Sequence, residues 1–267
     1  METLQVLLAA MNQQDLSIAR QMNLRCGAVI ANQAGREETL CRDGIKMITT
    51  ATRGVGLNRN IALLAADADI VLFADDDVVY NDDMEHAVLA AFRENPQADV
   101  LIFGMDMVKG GVVTERRNEK KRRLHFWNAM RFGTYRIAAR RSALLRENIF
   151  FHQQFGGGCP FSAGEDSLFL KACFDRGLRV YAHDYVLGQC RKDSSSWFVG
   201  YNEKYFYDKG VLVRRLFPRL HGLMGLYFAL YFKRKTDIGP GKRLKLVYAG
   251  IRGGKTMKTY ETYCHRQ

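Results

Sequence analysis

A chain of 267 residues, 47% of them hydrophobic, has room for one large α/β domain or a core domain with an extension. The net charge of +12 is uneven: residues 203–267 hold 15 Lys plus Arg against 4 Asp plus Glu, which implies an anionic partner, nucleic acid or a membrane surface. The six cysteines (Cys26, Cys41, Cys159, Cys173, Cys190 and Cys264) form no CxxC pair, arguing against zinc or a disulfide framework and for a reducing compartment. No apolar run reaches the roughly 18 residues of a bilayer-spanning helix. Glu2 and the polar stretch from Asn12 to Asp15 also argue against a signal peptide, so a cytoplasmic protein is expected.

In chain order, residues 4–11 (LQVLLAAM) read as a first strand with a polar end, followed by a helix over about 16–23. Residues 26–31 (CGAVIA) form a second strand ending in Asn32 and Gln33, and 45–50 a weak third. Arg53-Gly54-Val55-Gly56 is a tight turn into a helix over 57–66. In that turn the glycines let backbone amides approach a ligand, and Arg53 and Arg59 offer fork-shaped donors suited to phosphate. Arg59 equally suits a solvated helix face.

Ile70 to Phe73 form a short apolar run fit for a strand buried on both faces, with Asp75, Asp76 and Asp77 at its carboxyl end. Three such charges do not belong in a core unless paired or metal-bound, and open α/β sheets place ligands at this edge. Adjacent hard oxygens suit Mg²⁺ or Mn²⁺ that also holds substrate phosphate; an acidic surface turn is the plainer reading. A helix over 82–95, stopped by Pro96, and a strand over 100–105 continue the βαβ alternation. No G-x-G-x-x-G follows the first strand, so this is not a dinucleotide-binding fingerprint.

Further on, Gly110-Gly111 marks a loop, and the basic block from Arg116 to Arg123 reads as a solvated face unless it meets phosphate. A strand over 134–138 and a short helix over 142–147 precede the loop FGGGCPFSAG at 155–164. Glu165 and Asp166 then stand ahead of a helix over 168–176, as caps or as chemistry; the glycine run suits close substrate approach or a moving lid. A short strand over 178–182 ends at His183-Asp184.

In the tail, residues 220–232 (LHGLMGLYFALYF) are nearly all apolar and are followed by Lys233-Arg234-Lys235. They read either as a hairpin or helix buried on the domain, or as an interfacial element with Tyr227 and Tyr231 near lipid headgroups. Lys242, Arg243, Lys245, Arg252, Lys255 and Lys258 would supply attraction to anionic lipid. No nucleic-acid module is recognisable.

The order of pieces resembles family 2 of the nucleotide-sugar glycosyltransferases. It includes the two strands with polar ends, Arg-Gly-x-Gly-x-x-Arg-Asn at 53–60, the acidic triplet, and Gly164-Glu165-Asp166 about ninety residues on. The resemblance covers roughly residues 4–207. Met11-Asn12-Gln13, Asn32-Gln33, the triple glycine and WFVGYNEKYFYDK at 197–209 resemble, more narrowly, a bacterial subgroup of surface-polysaccharide synthesis.

The resemblance implies a GT-A fold, a Rossmann-like, mostly parallel central sheet flanked by helices. Here it would span 1–210, with a basic amphipathic C-terminal extension over 211–267. It implies Asp75 and Asp77 as ligands of Mn²⁺ or Mg²⁺ against the donor diphosphate, with Asp76 orienting sugar or ribose. Ala10, Met11 and Asn12 would line the nucleoside pocket. Asn32 stands where the family usually has an Asp against the base, which puts uridine recognition in doubt. Asp166 matches the catalytic base and Glu165 its neighbour at the acceptor.

The implied reaction is inverting transfer from a nucleotide-diphosphate sugar to a glycan or lipid-linked hydroxyl, at the inner face of the cell membrane. Two rivals use the same parts. One is a metal-dependent phosphoesterase with His183 and Asp184 as extra ligands; the other is a non-catalytic, membrane-associated nucleotide-binding protein. In the transferase too, His183 is a candidate for contact with the metal or the diphosphate, a packed or capping histidine being the plainer reading.

Overall fold

The computed structural model describes residues 1–117, 119–191, 200–232 and 235–265; residues 197–199 and Lys233-Arg234, singled out above, lie outside the described residues. Strand β1 (Leu4–Met11), helix α1 (Ser17–Gln21), β2 (Gly27–Gln33), β3 (Glu38–Arg42), β4 (Ile45–Thr50), α2 (Val55–Ala65) and β5 (Ile70–Asp75) build the first half. There follow β6 (Val78–Tyr80), α3 (Met84–Glu94), β7 (Val100–Lys109), β8 (Val112–Arg117), β9 (Arg122–Arg123) and α4 (Phe126–Ala129). Then come β10 (Ile137–Arg140), α5 (Arg141–Arg146), α6 (Glu165–Asp175) and β11 (Val180–Arg191). Helices α7 (Glu203–Leu216), α8 (His221–Tyr231), α9 (Pro240–Gly253) and α10 (Tyr260–Cys264) complete the chain.

Among the described residues one mixed sheet runs β3-β4-β2-β1-β5-β10-β7-β11-β6, with β8 on β7 and β9 on β11. β4, β2, β1 and β5 are parallel, and β10 lies antiparallel between β5 and β7. The chain steps from β1 to β2 on one side and returns as β5 on the other. This places a topological switch point at the carboxyl ends of β1 and β5, with Ala9 in register with Asp75.

The alternating faces of the strands explain the layers. Val6, Leu8, Ile70 and Leu72 pack towards α1 and α3, with Ile18, Met22, Val88 and Phe92. Leu7, Val71 and Phe73 pack the other way, with Leu63, Phe151 and Phe169. Each such side chain, once buried, stabilises the fold by about 1.5–3 kcal/mol. The Phe151 and Phe169 rings stack at 4.2 Å, and Phe73 meets both edge-on.

Two expectations are corrected. β11 does not end at Ala182: it runs on through His183 to Arg191, with irregularities that let its far end pair with β6. Glu165 and Asp166 do not precede their helix; they form its first turn, because Gly164 at φ +119° caps it. The division drawn at 210/211 falls inside α7.

Helices α7, α8 and α9 form a separate apolar layer around Phe206, Val211, Leu246 and Val247 that also takes in Phe155 and Phe161 of the glycine-rich loop. α7 and α9 cross closely enough that a Cβ on Gly210 would lie 2.0 Å from the Val247 carbonyl oxygen, and one on Gly250 2.0 Å from that of Tyr207.

Candidate functional site

The carboxyl ends of β1 and β5 open into a cleft of about 450 Å³. Ala10, Met11, Arg59, Asp75, Asp76, Asp77 and Glu165, all singled out in the sequence, line it. The β5 run buries Ile70 to Ala74 completely, and the chain turns at Asp76 and Asp77 because Val78 and Tyr80 are again drawn inside as β6. The three acids are thus pushed out at the sheet edge. Burial and the neighbouring Asp75 charge raise Asp76, and the same causes push Asp77 up to about 6. Cys190, opposite Val78 in the sheet, lies against Asp77, and its thiol is pushed up to about 12 by burial and the Asp77 charge.

Arg59, on the second turn of α2, is 3% exposed and lies 5.3 Å over the Phe151 ring. Its Nη2 donates to Asp75 Oδ1 at 2.7 Å; Nη1 donates to Glu165 Oε1 at 3.3 Å and Asp166 Oδ1 at 3.5 Å. Burial works to lower the guanidinium, but the three carboxylates outweigh it and raise it. It is a buried bridge between the acidic triplet and the downstream acids: Nη1 and Nη2 are engaged by carboxylates, while Nε is buried without a partner among the described residues.

Asp166 Oδ1 also accepts the hydroxyl hydrogen of Thr134, which is 1% exposed. Its side chain stands next to cleft-lining Glu165 and is 32% exposed, so it is open to solvent. Burial and then the Glu165 charge raise Asp166, with Arg59 and Thr134 pulling the other way. Glu165 Oε2 accepts from the Gly164 amide.

The two glycine-rich segments pack on each other. The Val55 amide donates to the Gly157 carbonyl at 3.0 Å, and a Cβ on Gly156 would lie 2.7 Å from the Glu165 carboxyl carbon. Gly54 is buried with its carbonyl accepting from Gln33 Nε2, while Arg53 is exposed and is not among the residues that line the cleft. Gly54, Gly56 and Gly156 leave room for this close packing, while Gly157 lines the cleft.

Asn12 takes a left-handed turn (φ +56°) as its amide continues the sheet to the Gln33 carbonyl. Asn32 is fully buried, and its amide is spent on the loop: Nδ2 donates to the Gln13 carbonyl and Thr49 Oγ1, and Oδ1 accepts from the Gln13 amide. It pins the strand end that carries Ala10 to Asn12. His183 does not join the acids. It lies mid-strand against Phe103, 3.9 Å from Glu94 and 3.5 Å from Asp184, and does not line the cleft.

The structure adds residues that sequence reasoning missed. Asn58 lines the cleft and ties α2 to both strands, donating to the Ala10 and Ala31 carbonyls at 3.1 and 2.7 Å. Arg117, Tyr135, Cys190 and Arg191 close the far wall, with Arg117 donating to the Tyr135 hydroxyl. Asn58 stood within the Arg-Gly motif as a signal; Thr134 and Cys190 carry none, since only the fold brings them in. Among the described residues no preformed group of three or more His, Cys, Asp or Glu side chains is set to hold a metal.

Residues 36–155 match the model of glycosyl transferase family 2, a stretch that includes Arg59 and the acidic triplet. No curated protein matches in sequence. The solved structure of S. aureus TarS 1–349 in complex with UDP-GlcNAc is similar, with TM-score 0.59 and 15% identity over 98% of this chain and 77% of that one. A second structure of S. aureus TarS 1–349 gives 0.60 and 14% over 97% and 93%, and its complex with UDP 0.57 and 16% over 99% and 78%. At such identity the likeness speaks for the fold. Residues 36–155 are thus similar to glycosyl transferase family 2, and the chain as a whole has the GT-A fold.

Proposed function

We propose that the protein is a metal-dependent, inverting glycosyltransferase of surface-polysaccharide synthesis. It would move a sugar from a nucleotide-diphosphate donor to a hydroxyl of a glycan or lipid-linked acceptor at the inner face of a cell membrane. One observation carries this reading: two carboxylate sets flank one cleft, Asp75 to Asp77 at the sheet edge and Glu165-Asp166 on α6, with Arg59 between them.

Asp75 and Asp77 would hold Mn²⁺ or Mg²⁺ together with diphosphate oxygens. Their hard oxygens suit a divalent cation, as do the burial and, after it, the like-charge crowding that push Asp77 up to about 6. When bound, such an ion neutralises charge on the departing diphosphate. Asp76 faces the same space and suits the sugar or ribose, with Ala10 and Met11 beneath the nucleoside. The TarS structures contain UDP-GlcNAc and UDP, which makes a uridine donor the first to try.

Asp166 takes the proton of the acceptor hydroxyl. The oxygen bonds to the anomeric carbon opposite the carbon–oxygen bond to the diphosphate, whose electron pair leaves with the nucleotide, so configuration inverts. A carboxylate raised towards neutrality by burial is a stronger proton acceptor than a solvated one. Thr134 and Arg59 leave its second oxygen, Oδ2, without a hydrogen-bond donor among the described residues. The phosphoesterase rival needs ligands that His183 and Asp184, facing Glu94 and Lys121, do not bring to the cleft.

A panel of nucleotide sugars, incubated with Mn²⁺ or Mg²⁺ and soluble or lipid-linked acceptors, tests the proposal through nucleotide-diphosphate release. At least one donor should turn over, with loss on adding chelator. No release from any donor would overturn the transferase reading, and undiminished release with chelator would overturn the metal.

A further inference from the structure

We infer that the outer face of α8 docks the protein on an anionic lipid bilayer. Within 220–232 there is no Asp, Glu, Lys or Arg. The helix divides its apolar residues into two faces. Gly225, Ala229 and Phe232 turn inward, with Lys209 Nζ over the Phe228 and Phe232 rings and Gly222 accepting from the Tyr248 hydroxyl. Leu223, Leu226, Tyr227, Leu230 and Tyr231 recur at steps of three and four residues, and all are exposed, Leu223 at 66% and Leu230 at 50%. A stripe with that period lies along one side of a helix. At 11 residues α8 is about 16 Å long, enough to lie in an interface and too short to cross one.

Charge selects the occupant. Exposed Arg215 and Arg219 precede the stripe and exposed Lys235 follows it, with Asp237 as the nearby acid. Two copies paired through this face would set cationic ends against each other in either orientation. An anionic headgroup layer instead complements both ends, at about 1 kcal/mol per basic residue near the surface. Tyrosines at the stripe suit the headgroup level.

The docking face is joined to the catalytic side through α7. On its other side Asp208 Oδ2 accepts from the Ser162 amide and hydroxyl at 3.0 and 2.7 Å, and Lys204 Nζ donates to the Pro160 carbonyl at 2.6 Å. Leu212 packs so closely on Gly164 that a Cβ there would lie 2.5 Å away. A bilayer under α8 therefore lies a single helix from the loop that presents Glu165 and Asp166. Its use in meeting a lipid-linked acceptor rests on the proposed function; the docking itself does not.

The test is co-sedimentation of the full chain with mixed phosphatidylcholine–phosphatidylglycerol vesicles at low salt. The intact protein should pellet, and Leu223→Glu/Leu230→Glu should weaken vesicle binding at least about tenfold while leaving nucleotide-sugar binding unchanged. Leu64→Glu, at a position 61% exposed on α2, should pellet like the intact protein. Arg219→Gln/Lys235→Gln should weaken binding to these vesicles and abolish its salt dependence in part. The inference is overturned if the intact protein stays in the supernatant or if the double Glu variant pellets equally well. A dimer that the double variant splits, with no vesicle binding, also overturns it. Vesicle binding by a protein that turns over no donor leaves the docking face standing and removes the transferase reading.

Discussion

A guanidinium 3% exposed and in contact with three carboxylates holds both sides of the cleft in register. Removing a charge from such a cluster leaves its partners uncompensated in a partly dry site, a loss of about 3 kcal/mol at the low end for buried pairs. Arg59→Met is expected to lower unfolding stability by that order and to cut transfer, since Asp75 and Asp166 lose a shared donor. Arg59→Lys keeps the charge but spans the three acids poorly, so it should restore part of the stability and little of the rate. Urea unfolding beside turnover measures both; a stable, fully active Arg59→Met would show that the bridge is incidental. That bridge joins residues 106 and 107 positions apart, which explains why the sequence leaves Arg59 as a donor for phosphate.

At the scale of elements, the α7–α9 crossing depends on missing side chains. Gly250 sits where a Cβ would meet the Tyr207 carbonyl oxygen at 2.0 Å, while nothing lies within 4 Å of the Cβ position on Gly222 in α8. Gly250→Ala must push the helices apart, costing about 1–3 kcal/mol or more. Gly222→Ala should be neutral or stabilising by up to about 1 kcal/mol through helix propensity. Thermal melts of the two variants compare these directly; equal melting temperatures would contradict the close crossing.

Elements with a strong apolar pattern were legible: residues 4–11 are a strand at the expected bounds and 70–73 lie in β5; the weaker run at 45–50 is a strand at its expected bounds as well. β3 (ETLCR) and β8 (VVTERR) were not, because short antiparallel strands of polar or exposed residues are defined by their partners alone, and β6 (VVY), though buried, is only three residues long and follows the acidic turn. The tail at 220–232 left helix and hairpin open, and α8 resolves this only because α7 and α9 cover one of its sides.

Over the whole molecule, a parallel half-sheet sets the acidic triplet at one wall, and a mixed half, in which β10 lies antiparallel between β5 and β7 while β7 and β11 run parallel, brings α6 and Thr134 to the other. The order of these parts was readable from the resemblance; the use of Asn32 to pin a loop and the separation of His183 from the cleft depend on the three-dimensional arrangement. The central claim is that Asp166 removes the acceptor proton, and Asp166→Asn tests it most directly because the amide keeps the shape and loses the base. Calorimetry with the donor found by turnover should show affinity within a few-fold of the parent, while transfer falls by roughly 10²–10⁴. Near-normal turnover by a folded Asp166→Asn protein would contradict the account.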